Sequence, residues 1–103
     1  MITYLNAVTL AGVVRSLKTT KLSNDLFVYR FIITIVNVYK SKDNDATTDI
    51  EYFQVSYYSS SSEDFKEGDN IKIEGKLANQ KYVSNNGEER TYCGIVARKV
   101  IKL

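Results

Sequence analysis

Hydrophobic and polar positions alternate along much of this chain, as they do in half-buried strands. The first extended segment runs from about Tyr4 to Lys18 and contains Gly12. A glycine within a strand marks a bulge or a sharp bend. The second segment, Leu26 to Tyr39, reads LFVYRFIITIVNVY and is nearly continuous in β-formers. It is much longer than an ordinary strand of about 5–6 residues. A coiled strand shared around a small barrel accounts for that length better than a flat sheet does. The polar stretch Lys40–Thr48 predicts a loop. In the third strand, Ile50–Tyr58, Phe53, Val55 and Tyr57 share one face, while Tyr52, Gln54, Ser56 and Tyr58 share the other. Ser59–Lys66 then predicts a short helix, capped by serine and pinned to the core by Phe65. Glu67–Asn70 reads as a turn. The fourth strand, Ile71–Val83, points Ile71 and Ile73 inward and Lys72, Glu74 and Lys76 outward. Ser84–Glu88 is a hairpin signal, because Asn86-Gly87 supplies two residues tolerant of positive φ. A fifth strand covers Arg90–Arg98, extended by Val100–Leu103.

The order β-β-β-α-β-β predicts a mainly all-β fold. It suits a five-stranded Greek-key barrel of the OB type, with one short helix between strands 3 and 4. An unrelated small barrel, such as an SH3-like one, is the alternative. Residues 1–103 are expected to form a single domain.

Composition narrows the function. Ile, Val and Thr total 27 residues, against 13 for Ala, Leu and Met, which favours strands over helices. No apolar run approaches the ~18 residues of a transmembrane helix, and Met1-Ile2-Thr3-Tyr4 does not open a signal peptide. Cys93 is the one cysteine, so no internal disulfide or Cys-based zinc site is expected. Histidine is absent, which removes histidine acid/base catalysis and most transition-metal sites. The five glycines are too dispersed for a phosphate-cradling loop. Asp43, Asp45 and Asp49 are faintly spaced like a calcium loop, but its glycine and closing glutamate are missing. We therefore expect no enzyme, no cofactor and no metal. The net charge of +2 is uninformative, so nucleic-acid binding would need a local patch.

The tyrosines supply such a patch. If Phe53 and Val55 face the core, Tyr52 and Tyr58 lie outside, six residues apart on one strand. Tyr39 precedes Lys40 and Lys42, and Tyr82 lies between Lys81 and Arg90. Exposed rings stack on unpaired bases of any identity at about 1–3 kcal/mol each, and nearby cations hold the phosphates. Tyr39, Tyr52, Tyr58 and Tyr82 are the candidate stacking rings. Tyr29 and Tyr92 lack this cationic context and read as structural; Tyr57 reads as core, and Tyr4 is left open. The candidate phosphate contacts are Lys18, Lys21, Arg30, Lys40, Lys42, Lys72, Lys76, Lys81 and Arg90. Asp43, Asp45, Asp49, Glu88 and Glu89 interrupt them, so the patch is modest.

Three stretches resemble one family. Asn6-Ala7-Val8-Thr9-Leu10-Ala11-Gly12 is similar to the N-K-V-T-L-I-G opening of bacterial and phage single-stranded DNA-binding proteins. Ile50-Glu51-Tyr52-Phe53-Gln54-Val55 resembles their T-E-(W/F)-(H/F)-x-V. The stretch from Lys66 to Leu77, KEGDNIKIEGKL, resembles K-K-G-(D/S)-x-(V/I)-x-(V/I)-E-G-x-L. The resemblance implies an OB fold, single-stranded DNA binding and assembly into a tetramer or dimer. It also implies that Tyr39, Tyr52, Tyr58 and Tyr82 occupy base-stacking positions and Lys81 a basic one. The function expected is sequence-tolerant coating of unpaired DNA in replication, recombination or repair. It would act in the cytoplasm of a bacterium, or there as a phage or plasmid protein, with no membrane partner.

The sequence departs from the pattern in four places. Gln54 stands where the family has a basic residue, and Leu77-Ala78-Asn79-Gln80-Lys81 carries fewer cations than in relatives. The serine-rich segment is about a turn shorter and lacks a basic residue near Ser60. The chain ends at Leu103 without the family's acidic-tipped tail, so tail-mediated replication partners are not expected. Either that tail is absent or the chain is only the core. The alternative function is a tail-less primosomal-type adaptor that binds single-stranded DNA and partner proteins as a dimer.

Overall fold

A computed structural model describes residues 2–23, 25–40, 42 and 46–103. Five strands follow in chain order: β1 Val8–Ser23, β2 Leu26–Lys40, β3 Ala46–Ser59, β4 Asn70–Val83 and β5 Glu89–Lys102. They close into a barrel in the order β1-β2-β3-β5-β4. This is the expected five-stranded OB barrel. The strands begin or end a few residues from the sequence expectation, most visibly at Ala46–Thr48, which extend β3 into the expected loop.

Closure depends on β1 serving two neighbours. Val8–Val13 pair with β4, and Val13–Ser23 pair with β2. The strand must bend to do this. The expected site of the bend was Gly12, but the register shift falls between Arg15 and Lys18, where Ser16 takes a positive φ of 54°. Gly12 does something else. It lies next to Val13, the residue paired to both neighbours, and a Cβ there would collide with the carbonyl oxygen of Thr34. Glycine is needed because two backbones approach, not because the chain turns.

Alternation fills the interior. Phe31 and Ile33 on β2, Val55 on β3, Ile71 and Ile73 on β4, and Ile95 and Ala97 on β5 are all buried. Tyr29 and Phe65 complete the same cluster, with ring centroids 5.4 Å apart. Phe65 thus reaches the core as expected, but the segment carrying it is not helical. No helix is present among the described residues. The serines explain the difference. Ser59 Oγ accepts from Ser61 N–H at 3.2 Å, and Glu63 N–H donates to the Tyr29 hydroxyl at 2.9 Å. The Glu63 carboxylate accepts from Ser59 at 3.0 Å, Tyr57 at 3.2 Å and Ser61 at 3.3 Å. These bonds take groups that a helical turn would use, and a helix this short has little stability to compete.

The hairpin after β4 forms at Ser84–Glu88, as expected. Ser84 N–H donates to Glu88 O at 2.8 Å, which closes a three-residue loop. Only Gly87 takes positive φ there, at 85°. Asn86 contributes through its side chain, whose Oδ1 accepts from Glu88 N–H at 3.2 Å.

Two antiparallel arms project from the barrel. β2 and β3 stay paired from Phe27–Ser59 out to Lys40–Ala46, and β4 and β5 out to Val83–Glu89. The radius of gyration is 16.4 Å, against about 13 Å for a compact domain of this length. The arms account for the excess.

Candidate nucleic-acid interface

The arms diverge because β3 and β5 touch only briefly. Their parallel ladder is limited to Val55–Tyr57 with Ile95–Ala97. Ahead of it, the approaching parts of the two strands separate and leave a groove of about 750 Å³. Tyr52, Phe53 and Gln54 form one wall; Leu77, Tyr82, Tyr92 and Cys93 form the other, with Gly94 and Ile95 between. The Tyr82 and Tyr92 centroids are 5.8 Å apart at an interplanar angle of 58°. Tyr52 is 65% exposed and Tyr82 48%. Exposed ring faces of this kind are available for stacking.

A second groove, of about 280 Å³, continues from the first. Gln54 and Tyr92 line both. Here the walls are Ser16, Lys18, Arg30 and Ser56. Lys18 and Arg30 are directly opposite each other in the β1–β2 ladder. Like charges in that arrangement repel, at a cost of a few tenths to about 1 kcal/mol. Neither joins an ion pair among the described residues. An anion between them would remove the repulsion. The Ser16 bulge creates this site by shifting Lys18 into register with Arg30.

The other candidates are distributed unevenly. Tyr58, 45% exposed, shares the outer face of β3 with Tyr52, about 20 Å further along the strand, and lines neither groove. Tyr39, opposite Thr47, falls by alternation on the reverse face of the β2–β3 arm from Tyr52. The structure therefore brings together Tyr52 and Tyr82, but neither Tyr39 nor Tyr58 joins them in the groove. Lys40 closes β2 at the arm's end and Lys42 is exposed beyond it. Lys21, opposite Phe27, is on the reverse face from Lys18. Lys72, between Ala11 and Ile101, occupies the far wall, and Lys76 is outside both grooves, opposite Val96. Lys81 pairs with Glu89 at 3.5 Å and Arg90 with Glu88 at 3.3 Å, so their charges are locally balanced. Asp43 and Asp45 lie outside the described residues.

Tyr92 reads as structural in sequence, but it lines the groove. Its neighbours Thr91 and Cys93 are uncharged, so nothing local marked it. The cross-strand pairing of Gln80 with Tyr92 sets it diagonally beside Tyr82, and that register was the missing signal. The Asn6 of the first motif has a clear structural task. Its amide donates to Leu77 O at 2.8 Å and its Oδ1 accepts from Leu77 N–H at 2.9 Å, holding β4 at the root of its arm.

A closed five-stranded barrel with an aromatic groove leading into paired cations defines the OB class of oligonucleotide binder. The chain matches the model of the single-strand binding protein family over residues 5–103, and it belongs to that family as a single-stranded DNA-binding protein. Among solved structures, it is similar to a Plasmodium falciparum SSB in complex with ssDNA, with a TM-score of 0.80 and 18% identity, covering 100% of this chain and 98% of that one. It is also similar to a deletion mutant of the single-stranded DNA binding protein from Thermus aquaticus, with a TM-score of 0.76 and 16% identity, covering 96% of this chain and 50% of that one. No curated protein sequence matches it. No helix among the described residues is long and apolar enough to cross a membrane.

Proposed function

We propose that the chain, as one domain, coats unpaired DNA without choosing sequence, by stacking bases in the Tyr52–Tyr82–Tyr92 groove and seating phosphates at Lys18 and Arg30. The observation that carries this reading is the continuity of the two grooves through Gln54 and Tyr92. Bases and backbone of one strand then have separate, adjoining surfaces. Tyr58 extends the stacking surface along β3, and Lys40, Lys42 and Tyr39 serve the outer end of the arm. Lys76 and Lys21 contribute long-range attraction, while Lys72, Lys81 and Arg90 add little. The protein acts by binding, not catalysis. Its setting is replication, recombination or repair in a cytoplasm.

It acts as a homo-oligomer. Ile2, Tyr4 and Leu5 are 76%, 87% and 90% exposed in sequence next to the tethered Asn6. An apolar segment left this open gains stability by pairing with another copy.

The test is binding of oligo-dT as salt is varied, followed by quenching of tyrosine emission, with solution mass measured in parallel. Neutralising about four phosphates at Lys18, Arg30, Lys40 and Lys42 gives a log–log slope of about −3, at about −0.7 per phosphate. Absence of binding at low salt sinks the proposal.

A further inference from the structure

The two grooves meet at Gln54, which lines both: the first also holds the rings of Tyr52, Phe53, Tyr82 and Tyr92, and the second the cations Lys18 and Arg30. It is exposed, and no hydrogen bond holds its side chain among the described residues. Space is kept open beside it by Gly94. A Cβ on Gly94 would lie 3.3 Å from Cγ of Gln80, 3.4 Å from Cε2 of Tyr92 and 3.6 Å from the backbone oxygen of Gln54. A larger side chain at Gly94 would fill the junction.

We propose that the Gln54 carboxamide hydrogen-bonds the Watson–Crick edge of whichever base crosses this junction. The inference rests on the DNA-coating reading above and assigns a further contact within it. A neutral amide adds no charge to the Lys18 and Arg30 site. What it offers is a donor and an acceptor side by side. Every base presents a matching pair on that edge: adenine N6–H with N1, cytosine N4–H with N3, guanine O6 with N1–H, thymine O4 with N3–H. Turning the amide over exchanges its oxygen and nitrogen, and the terminal sp³–sp² torsion of glutamine is broad enough to allow it. One side chain therefore serves four bases. In a duplex these edges are already paired, so Gln54 favours single strands without selecting sequence.

The experiment compares wild type with Gln54→Met on oligo-dT and on the same oligomer methylated at N3 of every thymine. Methylation removes the edge donor but leaves phosphates and ring faces in place. Gln54 is exposed, so the variant keeps the fold. Wild type should bind the methylated oligomer about five- to tenfold more weakly, the low end of a bidentate amide–base contact. Gln54→Met should bind both oligomers alike, and should lose the same factor on oligo-dA and oligo-dC as on oligo-dT. Equal binding of both oligomers by wild type overturns the inference. So does discrimination that persists in Gln54→Met, or a loss confined to one base. Failure of wild type to bind oligo-dT at all removes the coating reading itself, and is read from the unmodified oligomer alone.

Discussion

At the scale of residues, the groove separates tyrosines that look alike in sequence. All four candidates sit beside cations or on an outer face, yet Tyr52 and Tyr82 line the groove while Tyr39 and Tyr58 do not. Tyr92, with no charged neighbour in sequence, joins them through its 5.8 Å approach to Tyr82. A ring that stacks on a base contributes about 1–3 kcal/mol, or roughly 5- to 150-fold in affinity. We therefore expect Tyr52→Ala, Tyr82→Ala and Tyr92→Ala each to weaken oligo-dT binding within that range. Tyr39→Ala should fall below it. Titration of each variant at one fixed salt concentration checks the order, and a Tyr39→Ala loss as large as that of Tyr82→Ala would show that the arm folds over the strand.

At the scale of elements, the core-facing positions of β3 and β4 were legible because apolar residues alternate in both strands, although Ser56 on the outer face of β3 is buried as well. Val55 and Ile73 are buried where the pattern put them. The barrel was legible from the unusual length of β2. What the sequence hid was any feature set by contact across strands. The bend at Ser16 arises from pairing with two neighbours, which no local propensity records. The absent helix is similar, since Tyr29, 34 residues away from Glu63, takes its backbone N–H. In the Lys66–Asn70 turn, Asp69 Oδ2 accepts from Lys66 N–H at 2.9 Å, and this bond, followed by the Lys102 charge, holds the Asp69 carboxyl below its ordinary pKa. A depressed folded-state pKa means the carboxylate stabilises the fold above its unfolded value of about 3.9, and that this stabilisation is lost as pH falls through the lower folded value. Asp69→Asn should accordingly lower the melting temperature at pH 7, and the gap to wild type should narrow below about pH 4. Thermal melts of both proteins from pH 7 to pH 2.5 test this, with a gap that stays constant counting against it.

At the scale of the whole molecule, a net charge of +2 conceals an uneven distribution. On the β4–β5 arm, Lys81 and Arg90 face Glu89 and Glu88, whereas Lys18 and Arg30 face each other and join no ion pair among the described residues. Lys18 and Arg30 thus leave unbalanced positive charge between β1 and β2. The strand order permits this, because it sets β1 beside β2 and β5 beside β3 within one surface. The Lys18–Arg30 juxtaposition also affects the protein when no strand is bound. Small multivalent anions should settle the electrostatic tension there, so phosphate or sulfate at tens of millimolar should raise the melting temperature of the free barrel while competing DNA away. Lys18→Gln should remove most of that thermal gain. Stability and affinity would then respond to the same ion in opposite directions, and the protein would be most robust under the conditions in which it holds DNA least.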